Sequence, residues 1–275
     1  MIRIGVRSFV AGGPYTPSDA DALAFVNAAE ITNETQKLAI NNLVTDLKGY
    51  GIWTKMKAIY PFCGGTASSH KWNLKDPRDL DAAFRLVFFG GWTHSSNGAL
   101  PNGTNAYSNT NLNPLANLIN NNYSVSYYSR TNTNLLNAVE IGSSTGSTGN
   151  PQISISLYYA GSSQKGFVSG YYPNYYIGSS NNDTLGLMTG TRTASNSAKM
   201  YMDGVQVGST LTTVYSGVLQ NTSLFLGSNK YQNSAVEFSS KQCAFASIGD
   251  GLTDTEAANF YTAVQAYQTT LSRNV

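Results

Sequence analysis

Charge is what this sequence has least of. Asp, Glu, Lys and Arg together make up 12% of its 275 residues, about half the usual share. The net charge is +2 and no run of Lys or Arg occurs, so there is no electrostatic footprint for nucleic acid or for an anionic membrane surface. Both partners are set aside. Cysteine is equally scarce. Cys63 and Cys243 lie far apart and match neither a CxxC pair nor a zinc spacing, so two buried free thiols are expected rather than a disulfide. No segment reaches the ~18 consecutive apolar residues of a membrane span. The start, MIRIGVRSFVAGGPY, lacks the apolar stretch of a secretory signal. A soluble chain without an export label is the expectation.

In place of charge there are Ser, Thr, Asn, 26 Gly and 18 Tyr, a surface of neutral hydrogen-bonding groups. The length suits one all-β domain. Residues 1–17, basic at Arg3 and Arg7, read as an arm for docking on a neighbouring subunit, and residues 18–275 as a single domain.

Two helices are expected first. Ser18 with Asp21 marks a start for a face of Ala22, Phe25, Val26 and Ala29. Asn33 with Gln36 marks another, followed by Ile40, Leu43, Val44 and Leu47, with Gly49 as a left-handed stop. After Gly51 the period falls to two. Met56, Ala58 and Tyr60 alternate, as do Phe84, Leu86 and Phe88, and Ile153, Ile155 and Leu157. Further strands fit SVSYYS, NAVEIG, KGFVSG, TLGLMTG, KMYM, VQVG, SLFLG and QCAFASI. About ten short strands, apolar on one face and neutral polar on the other, close into two antiparallel sheets packed face to face. Asp203-Gly204 supplies a type I′ turn between Ala198, Met200, Met202 and the returning strand. At the end, Thr253 and Glu256 form a capping box, and Phe260, Val264, Tyr267 and Leu271 make one stripe to lie on the outside of a sheet. Two stretches read as loops: His70 to Ala82, with alternating charges, and the Asn/Gly/Ser-rich GGWTHSSNGALPNGTNAYSNTNLNPLANL, where a binding surface is expected.

Three blocks carry a family resemblance: KMKAIYPFCGGTASSHKWNLKDPRDLDAAFRLVFFGGWTHSSNGALPNGTNAY, the hairpin KMYMDGVQVGS, and LFLGSNK followed by CAFASIGDGLTDTEAANFYTAVQAYQTTL. Together they resemble the concanavalin A-like lectin/glucanase (laminin-G-like) modules of bacteriophage tail-fibre and other virion structural proteins, over about Ser18 to Leu271. The resemblance implies a concanavalin A-like jelly-roll β-sandwich, all-β apart from two short N-terminal helices and one C-terminal helix. It implies a protein on the outer surface of a phage particle, with other capsid or tail proteins, host-surface polysaccharide and further copies of the chain as partners. No shaft precedes the module, which favours a small standalone subunit over a fibre tip.

Glucanases of that superfamily carry paired acids on one strand, and glycoside hydrolysis needs two carboxylates about 5–10 Å apart. Between Ala82 and Ile248 the only acids are Glu140, Asp183, Asp203 and Glu237, widely spaced, so no enzyme is expected. No calcium cluster is visible, Asp250 and Asp254 fit a helix cap better than a metal site, and no cofactor is expected. His70 and His94 lack a nucleophile elbow beside them and read as hydrogen-bonded or exposed loop residues. The tyrosine pairs, Tyr127-Tyr128, Tyr158-Tyr159, Tyr171-Tyr172 and Tyr175-Tyr176, put one ring in and one ring out on a strand. The outward rings serve either a sugar platform or a subunit interface. The candidate glycan-binding residues are Trp92, His94, Asn97, Asn102, Tyr107, Tyr128 and Tyr158. Glycan-binding adhesin, purely structural decoration subunit and, last, glycan hydrolase are the three readings.

Overall fold

The structure, a computed structural model, describes residues 14–133, 137–146, 150–159, 164–171, 173–180 and 183–275. Most of the expected arm, the whole of Tyr172 and the Tyr159 side chain lie outside them.

Helix α1 (Ala20–Ala28) is capped by Asp19, whose carboxylate accepts the amides of Asp21 and Ala22. Ser18 is therefore not the cap. Asp19 accepts with a charged oxygen and also pairs with Lys48 at 2.7 Å, which outcompetes a hydroxyl one residue earlier. Helix α2 (Glu34–Gly49) is capped by Asn33 as expected. Its stop comes two residues late: Gly49 is still helical, and Gly51 takes the left-handed conformation at φ 72°. The short helix α3 (Ala67–His70) ends where the first loop stretch is expected to begin, α4 (Pro114–Asn117) lies within the second, and α5 (Asp254–Thr270) carries the Thr253–Glu256 capping box.

Seventeen strands run among the described residues, more than the periodicity shows. They are β1 (Met56–Tyr60), β2 (Val87–Phe89), β3 (Trp92–Ser95), β4 (Gly98–Pro101), β5 (Tyr107–Asn109), β6 (Tyr123–Ser129), β7 (Ile141–Ser144), β8 (Pro151–Tyr159) and β9 (Gln164–Tyr171). There follow β10 (Tyr176–Ser179), β11 (Gly186–Ala194), β12 (Ser197–Met202), β13 (Val205–Leu211), β14 (Phe225–Leu226), β15 (Asn229–Tyr231), β16 (Ser234–Val236) and β17 (Cys243–Gly249). The long Asn/Gly/Ser stretch is thus no loop but holds β3, β4 and β5. These are three- and four-residue strands, too short to display an alternation.

One sheet has eight strands in the order β13, β12, β11, β6, β17, β4, β3, with β1 also paired to β17; the other has nine, along β10, β9, β8, β7, β14, β5, β2, with β15 and β16 appended. All pairings are antiparallel except β15 on β7. The two sheets stack into the expected sandwich. Between them lie Val125, Tyr127, Ile141, Ile153, Ile155, Leu157, Phe167, Met188, Met200 and Ile248. The Asp203-Gly204 turn has φ of 49° and 76°, and Ala198, Met200 and Met202 face the interior from it.

A further expectation fails. The eight-stranded sheet does not show a polar face to solvent. Its other side, with Tyr128, Leu187, Tyr201 and Phe245, is buried beneath α1, α2 and α5 in a second core. Burying both faces of a sheet takes apolar residues at both parities, and these four supply them.

Two fully buried arginines tie the layers. Arg192 points inward from β11 and donates to the hydroxyl and carbonyl of Ser169 on β9, at 2.8 and 2.6 Å, and to Ser195 O. Arg273, after α5, donates to Gln268 Oε1 and to the carbonyls of Phe62, Ser96, Pro61 and Ala244. A guanidinium has five N–H donors in a fixed fork, and here that fork spans the helix layer, β17 and the turn after β3. Cys63 and Cys243 are both buried free thiols, and burial pushes the Cys63 thiol up to about 11.

Candidate functional site at the β2–β3–β5 edge

Five of the seven candidate residues come together at one edge of the sandwich. Trp92 and His94 lie on β3, Asn97 in the turn to β4, Asn102 after β4 and Tyr107 on β5. β3 belongs to the eight-stranded sheet and β5 to the other, and the indole Nε1 of Trp92 donates to Tyr107 O at 3.1 Å across the gap. The indole packs edge-on to Phe88, ring centres 5.4 Å apart. At Gly227 a Cβ would meet it at 2.9 Å, so only glycine admits the ring there. Trp92 is a staple between sheets rather than a free platform. Asn102 is spent as well: its Oδ1 accepts the amides of Thr104, Asn105 and Ala106, and its Nδ2 donates to Asn105 Oδ1. It shapes the loop. Asn97 is exposed at its turn.

The other two do not join them. Tyr128 points outward from its sheet, as alternation requires, but α5 covers it. It is 0% exposed and its hydroxyl donates to Gln265 Oε1 at 2.9 Å. A ring with no exposed face cannot stack on a ligand, and Tyr128 is removed from the candidate set. Tyr158 is half-buried on β8, three strands from Tyr107, or about 14 Å in strand spacings alone.

The sequence reading missed the residues that make the edge distinctive. Phe89 on β2 stacks on Tyr107 with ring centres 4.8 Å apart and planes 13° from parallel. Tyr107 stacks in turn on Phe225 of β14, at 4.7 Å and 21°, and the Lys230 ammonium sits 5.0 Å over the Phe225 ring. The register explains the row. Phe89 lies opposite Tyr107, and Phe225 opposite Asn109, so all three project from the outer face. One end of the row is closed by Lys230, and Phe225 is 5% exposed. The other end is open, with Phe89 on the outermost strand 43% exposed. Asn102, Thr104 and Asn105 are exposed on the neighbouring loop. The signal was present in the sequence as FF and LFL with aromatics at the outward parity.

Behind the row the two histidines meet. His70 Nδ1 and His94 Nδ1 are 3.0 Å apart, and Gly65 N donates to His70 Nε2 at 3.1 Å. His70 is 1% exposed. Burial, reinforced by the charges of His94 and Arg273, holds its imidazole down to about 3, and burial also lowers His94. His94 packs edge-on against Phe88 at 4.7 Å.

Of the four acids named for hydrolysis, Glu140 is 0% exposed and fully engaged. It accepts from Leu157 N at 2.6 Å and Ser239 Oγ at 3.1 Å, and its Oε1 lies 3.2 Å from the equally buried Lys241 Nζ. Distance and alignment disagree for that ammonium, which is close to Glu140 but not aligned for a hydrogen bond. At such range in a dry site the contact is an ion pair all the same. Glu237 accepts from Asn229 Nδ2 at 2.8 Å and burial raises it. Asp203 accepts Leu187 N at 2.9 Å beside its turn, and burial raises it too. Asp183 accepts Leu185 N at 3.0 Å. Asp254, read as a capping acid, takes Lys199 and Tyr201 at 2.6 Å each. Among the described residues no group of three His, Cys, Asp or Glu side chains is placed to hold a metal.

No family model matches the sequence, and no curated protein matches it. Solved structures do match the fold. Domain 4 of a GH43 extracellular arabinanase from Geobacillus stearothermophilus, solved in complex with arabinotriose, superimposes with a TM-score of 0.50 at 16% identity, over 75% of this chain and 98% of that one. A Trypanosoma rangeli sialidase mutant displaying trans-sialidase activity superimposes with a TM-score of 0.55 at 11% identity, over 83% of this chain and 39% of the sialidase. This chain is therefore similar in fold to β-sandwich domains of proteins that bind or act on glycans.

Proposed function

We propose that this chain is a non-enzymatic carbohydrate-binding β-sandwich, displayed on the outer surface of a phage particle, that holds neutral host-surface oligosaccharides at the open end of the Phe89–Tyr107–Phe225 row. The observation that carries the reading is that row. Sugar rings present C–H faces that pack on aromatic faces, with neutral amides and hydroxyls around them for the ring hydroxyls, and the open face of Phe89 beside Thr104 and Asn105, on the loop that Asn102 shapes, offers both. The fold likeness to a domain solved with arabinotriose supports the ligand class. The virion setting draws its support from the resemblance of the three sequence blocks, and the non-catalytic reading from the acids, each of which is buried, capping or engaged.

Glycan-array binding with wild type and Phe89→Ala tests the ligand. Binding to neutral glycans is expected, reduced at least tenfold in the variant. A folded wild type that binds no glycan favours the purely structural decoration subunit instead. Mass spectrometry of purified particles tests the setting, with the chain expected among the structural proteins. Release of reducing ends from any bound polysaccharide would refute the non-catalytic part.

A further inference from the structure

We propose that the His70–His94 pair is an acid-released latch that fastens the segment 64–70 to strand β3. The hydrogen bonds fix where every proton sits. Gly65 N–H points at His70 Nε2 at 3.1 Å, so that nitrogen carries the lone pair, and a neutral His70 bears its proton on Nδ1. That proton lies between the two Nδ1 atoms at 3.0 Å. His94 Nδ1 therefore accepts, and the His94 proton is on Nε2. This polarity is assigned from the network, and it suits two neutral rings only. A proton added to His94 Nδ1 sets two N–H groups against each other. A proton added to His70 Nε2 opposes the Gly65 amide. Each route into the charged form breaks one of the two bonds.

The surroundings oppose charge as well. Phe62 meets the His70 ring edge-on at 5.3 Å, and Phe88 meets His94. The groups that oppose a charge on His70 are Arg273 from the C-terminal tail, always positive, and His94 from β3, positive only once protonated, while burial is what acts on His94. No carboxylate among the described residues is hydrogen-bonded to either ring. The fastened segment is fitted closely: Gly64 and Gly65 have φ of 92° and 81°, and a Cβ on Gly65 would lie 3.1 Å from Ser96 N in the turn after β3.

The sign follows. Both rings are neutral when the latch is closed and take protons near about 6.5 when it is open. Acid therefore favours the open form, by up to about tenfold per histidine for each pH unit below that value. For His70 alone, between pH 6.5 and 4.5, this is about 50-fold, since the open form is already half protonated at pH 6.5.

The test is NMR on the full chain. Long-range nitrogen–proton spectra should show His70 protonated on Nδ1 and His94 on Nε2 at pH 7, with neither ring titrating near 6.5. Corrected for intrinsic rates, exchange of the Gly65 amide should accelerate by at least about 50-fold between pH 6.5 and 4.5. His94→Phe keeps the packing but removes the acceptor, so the Gly65 amide should be weakly protected even at pH 7. A ring titrating near 6.5, or a Gly65 amide equally protected across the range, overturns the proposal on wild type alone. A folded His94→Phe protein with unchanged Gly65 protection does so independently.

Discussion

The two sheets are made from the same neutral vocabulary and treat their outer faces in opposite ways. On the eight-stranded sheet the outward positions include Tyr128, Leu187, Tyr201 and Phe245, and three helices cover them. The hydroxyls left there pair among themselves, as Ser126 does with Ser247 at 2.6 Å, or with adjoining backbone, as Ser124 does with Asp250 O. On the nine-stranded sheet the outward positions of the central strands include Gly142, Ser154, Ser156 and Gly166, small residues screened by neighbours such as the Tyr176 ring over Gly166 and Gln152 beside Ser154, with Val168 opposite Ser154. No long helix crosses that face among the described residues. Aromatic rings at outward positions therefore mean different things on the two sheets. Under the helices they are core; at the margin of the other sheet, as in Phe89 and Tyr107, they are surface kept apolar without a covering element.

The largest effect is expected where the covered side is tied down. Arg273→Ala removes five hydrogen bonds and leaves Phe62 O, Ser96 O and the Gln268 amide oxygen without that donor, while Pro61 O keeps Tyr267 and Ala244 O keeps Gln268 Nε2, a loss of about 4 kcal/mol or failure to fold. Arg273→Lys should not rescue it in urea unfolding, because an ammonium lacks the planar fork.

The comparison itself is tested by two tyrosines. Tyr128→Ala should cost about 3–5 kcal/mol as a truncated core aromatic, and Tyr107→Ala about 1 kcal/mol, since its ring is only half-buried in a stacked row. Equal losses in denaturation curves would erase the distinction between the sheets. Between those two losses lies the pH effect. The folded pKa of His70 lies at about 3, below its unfolded value, so stability is full above pH 6.5 and declines as pH falls toward 3. Urea midpoints should record a loss of about 2 kcal/mol by pH 5 from this residue. The smallest stability change belongs to Phe89→Ala, within about 0.5 kcal/mol for an exposed site, although it should remove the most binding. A Phe89→Ala protein that unfolds more readily than Tyr128→Ala would mean the open row is structural.

Local signals in the sequence were read well where one rule dominates. The Asp203-Gly204 hairpin, the Thr253–Glu256 box and the alternation of Ile153, Ile155 and Leu157 each have a single physical cause, and each is where it was expected. The first helix shows the limit: Ser18 and Asp19 are both good caps by type, and the Lys48 contact that favours Asp19 lies 29 residues away. Strands β3 to β5 escaped because three or four residues among Asn and Gly show no period. Tyr128 was assigned the right direction and the wrong environment, since alternation says which way a side chain points and not what lies above it. The clue was at Leu187, Tyr201 and Phe245, apolar at the outward parity of neighbouring strands. The histidine pair joins positions 70 and 94 through tertiary packing alone, and Phe89 gains its meaning from Tyr107 and Phe225, partners on other strands.

Binding at the open end of the aromatic row is tested most directly by amide chemical-shift mapping of the full chain with a neutral oligosaccharide found on the array. The expected shifts cluster at Phe89, Tyr107, Thr104 and Asn105 and vanish in Phe89→Ala. Shifts centred on the helix-covered sheet, or undiminished in that variant, would contradict it.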